Sequence, residues 1–151
     1  MRISKYELML KESKRFQWNG QNKQTFRGSE DVYRFITDDK LFNLSSRPEE
    51  HLLTFALNVK GELIGFTETS IGELSSTALS PRQILMFGIQ SNAGGLIICH
   101  NHPSGDPTPS ADDISATHRL KEACKLVGIQ LVDHIVVGTG CYTSLAMEGV
   151  L

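Results

Sequence analysis

The junction at residues 94–113, GGLIICHNHPSGDPTPSADD, restricts the fold more than any other stretch of the chain. Leu96 to Cys99 form a fully apolar run with glycines before it and polar residues after it, the pattern of a short buried strand. The run stops at His100-Asn101-His102, and Pro103, Pro107 and Pro109 then stiffen the connection. Ser110 is placed as the N-cap of a helix from about Ala111 to Leu126, with Asp113 at N3 and Gly128 closing the far end. Strand, rigid loop and helix in that order call for helices packed against a sheet.

The flanking sequence agrees. HLLTFALNV, from His51, reads as a strand with Leu53, Phe55, Leu57 and Val59 alternating onto one face. Lys60-Gly61 marks a turn, and ELIGFTETSIG returns as a second strand beside the first. Ser80, Pro81 and Gln83 stand at N-cap, N1 and N3 of a helix reaching about Ser91, which Asn92 to Gly95 close. IQLVDHIVVG and CYTSLA supply two further strands. Upstream, residues 3–16 have helical composition and 17–28 read as a polar loop. Ser29 is placed to cap a short helix with Glu30 and Asp31 in its first turn and Val32, Tyr33, Phe35 and Ile36 on its apolar side. Interleaved helices and strands predict an α/β fold, a mixed sheet flanked by helices.

A chain of 151 residues fits one domain that buries its core without staples. With 40% hydrophobic and 21% charged residues it has the composition of a soluble globular protein. Apolar runs reach about six residues, against the ~20 of a membrane helix. The first sixteen residues are charged throughout, with no apolar signal region, so a cytoplasmic protein without membrane contact is expected. Cys99, Cys124 and Cys141 are widely spaced and contain no CxxC pair, which excludes a disulfide framework or cysteine zinc site and leaves small buried thiols. A net charge of −2 offers no strong field for nucleic acid. Residues 1–28 differ, with Arg2, Lys5, Lys11, Lys14, Arg15, Lys23 and Arg27 against Glu7 and Glu12. That stretch fits a solvated helix and tail better than a basic arm for a polyanion.

In an extended chain, residues two apart point the same way. His100 and His102 therefore share a side with Leu96 and Ile98, while Asn101 points oppositely. Two imidazoles projecting together at a strand end suit a borderline metal ion such as Zn²⁺. Asp113 supplies a third ligand from the helix stripe shared with Ala116, Leu120, Ala123 and Val127. An ionised carboxylate on that inward stripe is costly unless something positive meets it, and a metal held by the two histidines does so. Asp112, one step round the helix, faces solvent. His-x-His alone is more often structural, and Ser-x-x-Asp alone is a helix start; their conjunction on this frame describes a metal site. The adjacent letters HNH carry no weight for HNH nucleases, which are named for three dispersed residues.

The spacing matches the JAMM (MPN+) metalloprotease motif, and HNHPSGDPTPS resembles the RadC-like JAB domains of bacteria. The resemblance covers roughly residues 48–147, including LSPRQI and LVDHIVVG. It implies a single MPN/JAB-type, cytidine-deaminase-like domain at 48–151, preceded by a short helical extension or arm at 1–47. That arm shows no GxG signature of the helix-hairpin-helix region usual in RadC proteins. The resemblance further implies that His100, His102 and Asp113 hold one zinc per chain, with the fourth position open to water. Ser110 would orient that water or stabilise the oxyanion while capping its helix. A glutamate at the entrance to the first core strand acts as general base in the family, and Glu50 matches it; the residues by themselves also leave Glu49, Glu62 and Glu68 open.

The implied reaction is hydrolysis of an amide or isopeptide bond in a peptide substrate. The competing reading is a non-enzymatic, metal-stabilised module of DNA repair or DNA processing that binds protein or nucleic-acid partners, the latter through its basic N-terminus. Other polar residues are expected to be structural. His51 packs on the apolar face with Leu53, His118 is exposed on its helix, and Asp133-His134 form a structural hydrogen bond where a strand opens. Trp18 and its loop carry no readable chemistry.

Overall fold

A computed structural model describes residues 10–11, 24–38, 42–72 and 79–151. Apart from residues 10–11, the helix expected over 3–16 lies outside the described residues, as do Trp18 and most of the basic stretch 1–28.

Five strands form one mixed sheet: β1 (His51–Leu57), β2 (Leu63–Ile71), β3 (Gly95–Asn101), β4 (Gln130–Val137) and β5 (Tyr142–Ser144), in the order β2-β1-β3-β4-β5. Every neighbouring pair is antiparallel except β3 and β4, which run parallel. The helix α3 (Ala111–Leu126) makes the crossover that a parallel pair requires. With α1 (Ser29–Thr37) and α2 (Pro81–Gln90), three helices flank the sheet, as the interleaved sequence pattern predicts.

Alternation along the strands divides the core in two. Leu53, Phe55, Leu57, Ile97, Cys99, Ile135 and Val137 meet Val32, Phe35 and Ile36 of α1. On the opposite face Leu52, Ala56, Leu96 and Ile98 meet Ile84 of α2 and Ala116, Leu120 and Cys124 of α3. The α1 side is filled by aromatic rings set edge to face, such as Phe42 against Phe66 at 4.5 Å and Phe26 against Phe35 at 5.4 Å. β1 is buried on both faces, not only on the face of Leu53, Phe55 and Leu57, because it lies between two strands and under helices from both sides. Val59 falls beyond the end of the strand and is exposed. The stretch expected as an N-terminal extension, 1–47, thus contains a helix that shares the core of the sheet.

Three local expectations shift. Gly28, not Ser29, is the N-cap of α1; the carboxylate of Asp31 accepts from the Arg27 N–H, and the Ser29 hydroxyl faces Tyr142 Oη at 3.2 Å. Ser80 holds the N-cap position of α2 without a side-chain capping bond, so Pro81 at N1 carries the start signal. On α3 the buried stripe is Asp113, Ala116, Thr117, Leu120 and Cys124. At 3.6 residues per turn, Cys124 returns to within about 20° of the Asp113 direction, whereas Ala123 stands about 80° away. Ala123 is accordingly half-buried and Val127, at the C-cap, exposed. Cys99 and Cys124 are buried as expected; Cys141 is exposed. Among the described residues no helix is long and apolar enough to cross a membrane.

Candidate metal centre

The C-terminal ends of the parallel strands β3 and β4 and the N-terminus of α3 converge, the position where open α/β sheets place ligands. His100, the penultimate residue of β3, lies fully buried on the side of Leu96 and Ile98. His102 follows one step beyond the strand and is anchored by its backbone N–H, which donates to Val137 O at 2.9 Å. Its Nδ1 stands 2.8 Å from the carbonyl oxygen of Asp106. A carbonyl only accepts, so Nδ1 carries a proton, and in the neutral ring Nε2 is the nitrogen that presents a lone pair.

The proline-bearing loop is packed against the turn after β4. Thr139 N–H donates to Gly105 O, and a Cβ on Gly138 would fall 2.3 Å from that oxygen, so only glycine fits there. At its far end Ser110 and Asp113 close a reciprocal capping box. Asp113 N–H donates to Ser110 Oγ at 3.1 Å, while Ser110 N–H and Oγ–H donate to Asp113 Oδ2 at 2.8 and 2.6 Å. These bonds fix the carboxylate on the side facing the histidines.

The three side chains meet. His100 Nε2 lies 3.0 Å from His102 Nε2 and 3.5 Å from Asp113 Oδ1, and His102 Nε2 lies 3.6 Å from Asp113 Oδ2. Donors about 2.0–2.2 Å from a tetrahedral ion stand roughly 3.3–3.6 Å apart. The two nitrogens and the nearer carboxylate oxygen of each, Oδ1 for His100 and Oδ2 for His102, stand close to that spacing, and His100, His102 and Asp113 could hold a metal ion. Their electrostatics agree. Burial lowers the pKa of His100 to about 4, partly offset by Asp113, which keeps its ring a neutral ligand. Burial pushes the Asp113 carboxyl up, but His102, His100 and Ser110 outweigh it and hold the group well below the usual carboxylate range. The same carboxylate raises His102.

Comparison with known sequences settles the family. The profile of the RadC-like JAB domain matches residues 26–150. The chain belongs to the RadC-like JAB domain family. A UPF0758 protein of Clostridium kluyveri is 47% identical over 103 residues, covering 68% of this chain and 45% of that protein. Another, from Clostridium acetobutylicum, is 45% identical over 108 residues, 72% of this chain and 47% of its own length. One from Clostridium botulinum is 39% identical over 140 residues, 92% and 60% respectively. The chain thus spans about half the length of the curated relatives it matches. In this chain the RadC-like JAB match opens at Phe26 and takes in α1, consistent with that helix sharing the core.

Within this RadC-like JAB domain the four glutamates occupy different places. β1 and β3 pair with Leu52 opposite His100, and two residues further along that register Glu50 falls opposite His102. Glu50 is half-buried, and its charge contributes to raising His102. Glu49 is exposed. Glu62 lies at the other end of β1, accepting from Asn58 Nδ2. Glu68 is engaged by the buried His51, which hydrogen-bonds it through Nδ1 rather than packing as an apolar ring. Asn101, pointing away from His100 and His102, clamps the segment that bears Glu50. Its Oδ1 accepts from His51 N–H at 2.8 Å, and its Nδ2 donates to Arg47 O and Glu49 O at 3.2 and 3.0 Å.

Asp112 and His118 are exposed, as expected. Asp133 and His134 share the expected structural hydrogen bond, made by the His134 backbone and not by its ring. Asp133 accepts from the backbone N–H of His134, from Ser144 Oγ and from Ala146 N–H, a structural cluster. The His134 imidazole turns to the other face and reaches His100 Nδ1 at 2.7 Å and Thr117 Oγ1 at 2.6 Å. Neither His134 nor Thr117 was expected at the site. The available signal was parity, since a β4 histidine opposite Ile98 shares the face of His100.

Proposed function

We propose that this chain is a zinc-dependent hydrolase of the JAMM type, cleaving an amide or isopeptide bond in a peptide substrate. One observation carries the reading. Two imidazole nitrogens and a carboxylate gather 3.0 to 3.6 Å apart at the end of the sheet, near tetrahedral donor spacing, with Glu50 in register beside them. Three protein donors are the complement of catalytic rather than structural zinc. When bound, zinc supplies Lewis acidity and lowers the pKa of water to about 7.

The chain's own groups do the rest. Glu50 takes a proton from the attacking water as its oxygen bonds to the carbonyl carbon, and delivers it to the leaving nitrogen as the C–N bond breaks. Ser110, exposed at the start of α3, turns its single hydroxyl proton from Asp113 Oδ2 to the carbonyl oxygen as negative charge builds there. Its backbone N–H meanwhile holds Asp113 in place. The Asn101 clamp keeps the segment bearing Glu50 against β3.

The test is zinc content near one per chain, together with cleavage of a peptide or isopeptide library that stops with chelator and returns with zinc. Glu50→Gln should keep the metal and lose turnover; full activity in that variant would remove Glu50 from the scheme. A wild-type chain that takes up no zinc would end the proposal.

A further inference from the structure

We propose that Thr117 and His134 are positioning residues that lock His100 in its metal-binding tautomer through a one-way chain of hydrogen bonds ending on the backbone of Asp113. The proposal rests on the reading of His100, His102 and Asp113 as a metal site and deepens it.

Its direction is set by a group that cannot donate. Thr117 Oγ1 lies 2.6 Å from the carbonyl oxygen of Asp113, one turn earlier in α3, and 2.6 Å from His134 Nδ1. A hydroxyl has one proton. If that proton pointed at His134, two oxygens would face each other at 2.6 Å with no hydrogen between them, in a fully buried setting. Placed on the Asp113 carbonyl instead, it leaves Thr117 Oγ1 free to accept from His134 Nδ1–H, and both short contacts become attractive.

The consequence passes along the chain. His134 is fully buried, and its nitrogens meet a hydroxyl and an imidazole, neither of which carries countercharge; the neutral ring has one proton. With that proton on Nδ1, Nε2 accepts, and the 2.7 Å contact requires His100 to donate from its own Nδ1. His100 Nε2 is then bare and faces Asp113 and His102. Reversing the chain would put N–H on His100 Nε2 and block the ion. The chain also ties β3, β4 and α3 together at the ligands themselves, since its last acceptor belongs to the residue that supplies the carboxylate. Partners of this kind typically matter tenfold to a hundredfold in metal affinity.

The test uses the full chain. Long-range ¹⁵N–¹H NMR of the histidine rings in the chelated, metal-free protein should show His100 and His134 both protonated at Nδ1 and bare at Nε2. Zinc affinity, read by competition with a chromogenic chelator, should fall about tenfold to a hundredfold in Thr117→Val, with mixed tautomers at His100. Thr117→Ser should restore both. A wild-type His100 protonated at Nε2, or a Thr117→Val variant with unchanged tautomer and affinity, overturns the proposal. Should Thr117→Val not fold, the wild-type spectrum and the serine variant still decide. The two readings fail separately: no zinc uptake by wild type sinks the hydrolase, while the metal-free spectrum judges the relay on its own.

Discussion

The two histidines of the HNH string are held in opposite ways. His100 sits in a dry wall, its Nδ1 joined to His134 and Thr117, with every atom of the relay inside the layer between sheet and α3. His102 stands on a partly open loop, held by its own backbone and by a carbonyl four residues on. The first histidine is part of the fold, and its geometry is set by the core alone. The second is part of a surface segment and contributes mainly charge and a donor atom. A metal held here, as proposed, would meet one side that the core enforces and another that the loop can adjust.

The largest consequence is for stability. His100→Ala should cost about 2–4 kcal/mol in the metal-free protein, because it opens a buried cavity and orphans His134 Nε2. His102→Ala should cost less, on the order of 1 kcal/mol in the same urea titration, since 16% of its side chain stays exposed against 1% for His100. Both variants should lose tight zinc binding. Equal destabilisation would erase the distinction between wall and loop.

Acid should expose the same difference. His100 titrates near 4 in the fold against 6.5 when free, because burial disfavours its charged form. The unfolded chain therefore binds a proton that the folded one refuses, and stability falls as the pH drops from about 6.5 towards 4, by on the order of 3 kcal/mol. His134, lowered well below its ordinary value by burial, acts in the same direction. His102 has the opposite sign: its raised value contributes stability that is complete below 6.5 and lost as pH rises through its folded value. Urea midpoints of metal-free protein between pH 7.5 and 4 should thus decline on acidification, and decline less steeply in His100→Phe. An unchanged slope in that variant would show that the buried wall does not control the acid response.

The other face of β3 gives a smaller effect. Asn101→Ala removes three hydrogen bonds to the segment 47–51 and should cost about 2 kcal/mol, visible as faster hydrogen exchange at His51 N–H. Zinc uptake should persist, because the amide points away from the ligands. Loss of zinc together with the clamp would mean that the two faces of the strand are not independent.

What could be read from the sequence follows the same division between local and distant. His100, His102, Ser110 and Asp113 lie within fourteen consecutive residues, so strand parity and capping rules suffice to bring them together. His134 and Thr117 could not be placed so easily. Bringing His134 beside His100 requires the register of β3 on β4, which contains a shift between Leu96 and Ile97 that no local pattern announces. Thr117 required the phase of α3, and the expected stripe through Ala123 was one residue off by the helix's end. Gly28 replaced Ser29 as a cap for a similar reason: Asp31 meets the Arg27 N–H, and the serine hydroxyl is drawn to Tyr142 across the sheet edge. The α/β order of elements was legible because each boundary carries its own proline, glycine or cap.

The loop side provides the smallest and most discriminating change. Asp106 does not touch His102 with its carboxylate. It accepts from Thr108 N–H and Oγ–H at 2.9 and 2.6 Å, shaping the turn whose carbonyl then receives His102 Nδ1–H. Asp106→Ala leaves that carbonyl in the chain and loosens only its setting. Zinc affinity should therefore fall by less than about tenfold, below the lower bound for a direct partner of a ligand. The urea midpoint of the metal-free protein should not move, since the side chain is exposed. Measured beside Thr117→Val in the same chelator competition, Asp106→Ala should rank clearly weaker. If the two fall together, His102 depends on its loop as strictly as His100 depends on the core, and the site is rigid on both sides.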